Sequence, residues 1–257
     1  MADSESDSDS ESDYQEPEEL PIFDTVCAFD VEALRRCLAA GADPNLVNPL
    51  SEFSLLNYAV CWRSAYPEQI RERLECISVL LEAGASVDLL TGGRTPLHWI
   101  AGNEFASYHA VIAMLLEAGA DPNFTYTPRG VTSAQYHRSV LARAAEHGTA
   151  ATVRLLISAG AVDLDRALEV AITYGKQRNC APLLRAGAAV PAITQPPTID
   201  QRAACDYMEK IRWQGGYKAY EKAHRQRLTA IFLPKFPALP VEMLGRILEF
   251  TWDIGGH

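Results

Sequence analysis

The sequence predicts an all-α solenoid, a row of about five helix–turn–helix units followed by a helical C-terminal extension. Three observations predict it. A phrase containing Ala-Gly-Ala recurs five times: LAAGADPN around Gly41, LLEAGASVD around Gly84, LLEAGADPN around Gly119, LISAGAVD around Gly160 and LLRAGAAV around Gly187. The apolar residues leading into each phrase fall at helical spacing. The glycine then stands where a helix needs a residue that tolerates positive φ and caps its free carbonyls. Internal repetition of this kind settles architecture before any single residue is considered, and stacked repeats build surfaces rather than buried reaction sites.

The fourth copy shows the unit most cleanly. Leu141, Ala144, Ala145 and Gly148 make a short first helix with a small-residue face, and Val153, Leu155, Leu156 and Ile157 follow on a second helix. Small residues let the partner helix approach closely, and the outer face of each pair is left for the next copy to cover. The third copy adds an entry signal, Thr95-Pro96-Leu97-His98. Thr caps the first helix, and Pro is tolerated at its first position because the missing N–H has no partner there.

Gly93-x-Thr95-Pro96-Leu97-His98 followed by LLEAGADPN resembles the ankyrin repeat, and the resemblance covers about residues 21–191 within a repeat domain of 20–191. It implies helix–turn–helix units joined by hairpin-like fingers and stacked into a curved solenoid. The fingers and first helices then line its concave face. It also implies that His98 orders the Thr-Pro turn.

The marker glycine serves as a ruler. From first-helix apolar residue to marker the steps are 19 (Ile22 to Gly41), 28 (Leu56 to Gly84), 22 (Leu97 to Gly119), 19 (Leu141 to Gly160) and 19 (Leu168 to Gly187). The second copy therefore carries nine extra residues between its helices, including Trp62, Tyr66 and Pro67, and the third carries three. From marker to next first helix the steps are 15, 13, 22 and 8, so the third finger is long and the fourth nearly absent. The long finger, Asn123 to Arg138, is rich in aromatic, imidazole and guanidinium groups. Pro182 stands where the fourth copy has Leu155, which predicts a kinked or shortened second helix in the fifth unit.

The net charge of −10 belongs to one end: residues 1–19 hold nine acids and no Lys or Arg, leaving 24 acids against 23 bases elsewhere. This Ser-rich segment has too little apolar surface to fold and is read as a disordered tail. Ser4, Ser6, Ser8 and Ser10 each have an acid three residues on, which suits an acid-directed kinase. An inert solubilising tail and one that folds back onto basic surface both remain open. No apolar stretch approaches the ~20 residues that span a bilayer, and six cysteines without a CxxC pair fit a reducing cytosol or nucleus. A monomer is expected.

The extension, residues 192–257, opens with a Pro-rich linker and predicts helices at about 199–213 and 217–232. Its eight bases between Arg202 and Lys235, interleaved with Trp213, Tyr217 and Tyr220, raise a nucleic-acid surface. Tyr217, Tyr220, His224 and Ile231 at helical spacing argue instead for a packing stripe on a solvated basic helix, and that reading is preferred. The phrase LPVEMLGRIL resembles the start of an F-box and, more faintly, the Leu-Pro segment of a SOCS box. That resemblance implies a ubiquitin-ligase adaptor as partner, recruited through Leu239, Pro240, Met243, Leu244, Ile247 and Leu248. A helix that merely caps the solenoid is the preferred alternative.

No phosphate loop, nucleophile elbow or metal-ligand spacing appears, so no enzyme activity, cofactor or metal is expected. The expected function is protein binding. The predicted surface comprises Tyr58, Arg94, Trp99, Asn103, Arg143 and Glu146 on the concave face, with Phe124, Tyr126, Arg129, Tyr136 and His137 from the long finger. Large aromatic and guanidinium groups bury area at low entropic cost, and Trp99 is the leading anchor.

Overall fold

All five copies of the marker end a helix in the same way. In a computed structural model of the protein, residues 21–61, 69–127, 138–192, 197–235, 240 and 243 are described. Gly41, Gly84, Gly119, Gly160 and Gly187 have φ of 95°, 92°, 91°, 92° and 112°. In the third copy the Gly119 amide donates to the Leu116 carbonyl at 3.0 Å and the Ala120 amide to the Leu115 carbonyl at 3.0 Å. The same pair of bonds recurs at every marker. A left-handed residue reverses the chain so that two otherwise orphaned helix carbonyls are satisfied, and Gly pays no Cβ penalty there.

The repeats contribute first helices α1 (Pro21–Cys27), α3 (Leu55–Cys61), α5 (Pro96–Ile100), α7 (Val140–His147) and α9 (Leu164–Thr173). Their second helices are α2 (Val31–Ala39), α4 (Ile70–Glu82), α6 (Tyr108–Glu117), α8 (Ala150–Ser158) and α10 (Gln177–Ala186). First helices pack on first helices in chain order, and second on second, giving two layers. Leu56, Leu97, Leu141 and Leu168 from one layer and Leu80, Leu115, Leu156 and Leu183 from the other are buried between them. Gly148 sits so close to the third copy that an added Cβ would lie 2.5 Å from the Ala101 carbonyl oxygen. This is the close approach that the small-residue face predicts.

Polar links tie each copy to the next. The Asn45 side chain donates to the Gly84 carbonyl (3.2 Å) and accepts from the Ser86 amide (2.7 Å). Asn123 does the same with Gly160 (3.1 Å) and Val162 (3.0 Å). The second copy has Asp88 at this position, which accepts from the Asp121 amide at 3.1 Å but has no N–H to offer the Gly119 carbonyl. Burial raises the Asp88 pKa, with the Asp121 charge adding to it. Asp88→Asn supplies the missing donor and removes a partly desolvated charge. The expected gain is about 1 kcal/mol of unfolding free energy, read as a later midpoint in urea denaturation at unchanged slope.

The fingers share one stem register. Val47 bridges Ser54, and Thr125 pairs with Ser139 in the two-stranded sheet of β1 (Thr125–Tyr126) and β2 (Arg138–Ser139). Residues 128–137 of the long finger lie outside the described residues, as do 62–68 of the second-copy insertion with Trp62, Tyr66 and Pro67. Residues 159–163 alone connect α8 to α9, in line with the nearly absent fourth finger. Thr95 caps α5 by accepting from the His98 amide (3.2 Å), with Pro96 at the first helical position.

Pro182 requires a correction. It neither interrupts nor shortens α10, which runs unbroken from Gln177 to Ala186. Cys180, Pro182, Leu183 and Leu184 are buried and fix the helix by packing, while the carbonyl left without its partner belongs to Arg178, an exposed residue.

Beyond the repeats, α11 (Arg202–Trp213) packs on α10 and α9, and α12 (Tyr217–Phe232) packs on α11 and α10. Tyr207, Met208, Ile211 and Tyr217 are buried at this end, and the Tyr207 and Tyr220 rings meet edge to face at 5.4 Å. The stack is therefore covered by these helices, whereas Ile231, the last residue of the predicted stripe, is exposed. In the LPVEMLGRIL segment only Pro240 and Met243 are described, and both are exposed. Leu239, Leu244, Ile247 and Leu248 lie outside the described residues, as does the tail with Ser4, Ser6, Ser8 and Ser10. No described helix is long and apolar enough to cross a membrane.

Candidate functional site

The caps of successive first helices set up two repeating positions on the finger side. Ser54, Thr95 and Ser139 accept from the amide three residues on and so begin α3, α5 and α7. The residue before each cap is Phe53, Arg94 and Arg138; the residue four after is Tyr58, Trp99 and Arg143. These two columns stand side by side across the first helices and carry four of the predicted surface residues, Tyr58, Arg94, Trp99 and Arg143.

At the third copy the Arg94 guanidinium lies 4.4 Å from the Trp99 ring centre and 4.2 Å from that of Tyr126. Trp99 is itself fixed: its indole N–H donates to the Thr91 carbonyl (3.3 Å), and Phe53 of the preceding finger meets its ring at 5.2 Å. Tyr126 is placed by the β1–β2 stem and runs past Gly93, where an added Cβ would stand 3.3 Å from the tyrosine ring. A side chain at 93 would push the ring away from Arg94. Cation–π contacts of this kind contribute about 0.5–2 kcal/mol, more as they are desolvated.

Beneath this layer lies a charged cluster. Glu146 is 4% exposed; it pairs with Arg138 and, at 3.0 Å, with His147 Nε2. Arg138 also reaches the Tyr174 hydroxyl at 3.4 Å, and Lys176 pairs with Glu104 at 2.7 Å. Arg143 is half-buried, and an added Cβ at Gly102 would come within 2.9 Å of its Nε. Desolvation, then the Arg94 and Arg138 charges, lower the Arg143 pKa. His98 is buried, with Nε2 bonded to the Arg138 carbonyl at 3.2 Å and Nδ1 without a partner. Burial first, and the Arg94 charge second, hold it neutral by lowering its pKa to about 4.

Of the residues predicted from sequence, Arg94, Trp99, Phe124, Tyr126 and Arg143 come together here, with Phe124 meeting His98 edge to face at 5.9 Å. Two, Tyr58 and Glu146, do not belong to the exposed surface, and Asn103, partly exposed, stands in a turn. Tyr58 is 8% exposed, its ring against Phe23 (5.1 Å) and Phe53 (6.1 Å) and its hydroxyl on Ser51 (2.7 Å), so it packs the core. Glu146 is sunk beneath the site as the counter-ion of Arg138. Asn103 holds the α5–α6 turn, accepting from the Phe105 amide at 2.9 Å. The His98 ring makes no hydrogen bond to its own Thr-Pro turn: Nδ1 has no partner, and Nε2 reaches the stem of the next finger. Arg129, Tyr136 and His137 lie outside the described residues. Arg138, His147, Tyr174, Lys176 and Glu104 were not in the predicted set. For Arg138 the signal was present, because it precedes its cap just as Arg94 does.

No group of His, Cys, Asp and Glu among the described residues could hold a metal ion, and Cys37, Cys61, Cys76, Cys180 and Cys205 carry free thiols. Burial pushes the Cys76 thiol up to about 11 and the Cys180 thiol up to about 12, so both behave as apolar packing groups at neutral pH.

The ankyrin-repeat family profile matches residues 92–126, the stretch that runs from Gly93 through Trp99 to Tyr126. Among solved structures the chain is similar to the crystal structure of the human ASB11 ankyrin repeat domain, at 25% identity and a TM-score of 0.50, over 66% of this chain and 71% of that one. No curated relative matches it.

Proposed function

We propose that this ankyrin-repeat protein is a non-catalytic binding module that holds a protein partner on the face formed by its first helices and long finger, in the reducing environment of the cytosol or nucleus. The observation that carries the reading is the Arg94 guanidinium held between Trp99 and Tyr126. Aromatic and Arg side chains pre-positioned in this way lose little entropy on binding and dominate interface energetics. The full-length chain used as bait should lose its natural partner when Trp99→Ala or Tyr126→Ala is introduced. Each truncation is expected to weaken binding about 10- to 100-fold, the 1–3 kcal/mol typical of an anchor. Circular dichroism melts confirm that the variants remain folded, and unchanged capture by folded variants would refute the site.

A second reading is favoured by the sequence of Leu239–Leu248 and by the exposure of Pro240 and Met243. There the repeats hold a target while this segment recruits a ubiquitin-ligase adaptor. The same capture experiment tests it: an F-box or elongin adaptor must be retained by the wild-type chain and lost with Leu244→Asp and Ile247→Asp.

A further inference from the structure

Charges on the finger side do not balance. Arg94, Arg138, Arg143 and Lys176 face one another across the third to fifth copies, and the carboxylates among them are Glu146 and Glu104. Glu146 is taken by Arg138 and His147, and Glu104 by Lys176. Arg94 and Arg143 are thus left without a carboxylate among the described residues. Elsewhere Arg71 pairs with Glu75, Arg166 with Glu169, and Arg185 and Arg225 with Glu221. Half-buried cations that repel one another lower stability, and here a built environment holds them in place all the same. Two rings clamp Arg94, and Gly102 leaves room for Arg143.

We propose that Arg94 and Arg143 form an anion-reading pair, and that the partner held on this face presents an acidic segment whose Asp or Glu carboxylates settle on these two guanidiniums. The inference rests on the binding-face reading and names the partner's chemistry. A guanidinium presents forked donors that match a carboxylate, and the bond strengthens in a partly desolvated setting. The two free cations suit a pair of side-chain carboxylates better than a phosphodiester track. Arg94 already covers one face of each of the Trp99 and Tyr126 rings, which leaves less aromatic surface for stacking bases.

The test uses the full-length chain and a fluorescein-labelled peptide, Gly-Glu-Asp-Tyr-Glu-Asp-Glu, read by fluorescence anisotropy. Its counterpart carries Gln and Asn in place of every acid. The acidic peptide should bind saturably and weaken at least tenfold with Arg94→Gln or Arg143→Gln, and with a rise in salt from about 50 to 200 mM. The carboxamide peptide should not bind. Arg143→Gln should melt at or above the wild-type temperature, because a repulsion has been removed, whereas Arg94→Gln also gives up its two cation–π contacts and should melt lower. Should they fail to fold, the salt dependence and the carboxamide comparison on the wild-type chain still decide the matter.

Absence of saturable binding, equal binding of both peptides, or unchanged affinity in folded variants overturns the proposal. Tighter binding of a single-stranded oligonucleotide of equal charge does so as well. Binding seen only when the nine tail acids of residues 1–19 are changed to their amides identifies the chain's own N-terminus as the occupant, which also overturns it. If the natural partner is lost with Trp99→Ala yet kept by the Arg94→Gln/Arg143→Gln double variant, the binding face stands and the anion reading falls. If every variant keeps the partner, both fall.

Discussion

Arg73→Ala should cost about 3 kcal/mol of folding free energy, the largest loss expected from a single polar residue in this chain. Arg73 is 3% exposed, and its Nη1 donates to the carbonyls of Ala59 (3.3 Å) and Val60 (2.9 Å) at the end of α3. Its guanidinium also lies 4.8 Å from the Phe29 ring centre and 5.0 Å from that of Tyr108. One side chain therefore joins the first copy, the end of a first helix in the second, and the start of a second helix in the third. Truncation strands two helix-end carbonyls, removes a cation from the negative end of a helix and opens a cavity between two rings. Relief of the guanidinium's desolvation offsets part of the loss, and that desolvation is also what lowers its pKa. Arg73→Lys keeps the charge but not the flat, forked contact, and should fall between wild type and Ala. Urea denaturation measures both, and a loss below about 1 kcal/mol for Ala would show that the rings close over the gap.

Acidification should destabilise the fold chiefly through His98. Its pKa is lowered to about 4 in the folded protein, against 6.5 when exposed. Between those values the unfolded chain binds the proton and the folded chain does not. Stability present above pH 6.5 is therefore lost as pH falls toward 4. At one and a half units below the unfolded pKa, near pH 5, the loss is about 2 kcal/mol. The cause is geometric: a proton on Nδ1 would find no acceptor, in a buried site that already feels Arg94, Arg143 and Arg138. His98→Gln keeps a donor for the Arg138 carbonyl and should flatten the decline between pH 7 and 5. It should not abolish it, because burial also lowers the pKa of His109 and His147. Identical slopes for wild type and variant would rule His98 out as the source.

What could be read from the residues, and what could not, follows the range of the interactions. The marker glycines were legible because a left-handed helix end is decided by neighbours within one turn, and all five have positive φ. The Thr95-Pro96 cap and the buried first-helix leucines were legible for the same reason. Exposure was not. Tyr58, Trp99 and Arg143 occupy one register position, yet Tyr58 is packed between Phe23 and Phe53, Trp99 is half-covered and Arg143 lies over Gly102. That difference depends on which residue precedes the cap and on what the neighbouring copy places opposite. Glu146 was misjudged on the same grounds, since its partner Arg138 arrives from a finger stem and not from the same helix. Pro182 does not shorten its helix, because packing on three buried neighbours outweighs one missing hydrogen bond.

The shared stem register of the fingers makes the fold indifferent to what grows beyond it. Val47 with Ser54, and Thr125 with Ser139, close their loops at the same point relative to the following helix, whether a short or a long tip intervenes. Lengthening a loop past a closed stem costs only about 0.6 kcal/mol per doubling, and the stacking of one copy on the next is not disturbed. The third finger is therefore a place where residues can be inserted, removed or exchanged at little cost to the scaffold. It stands directly beside the clamped guanidinium that it helps to hold.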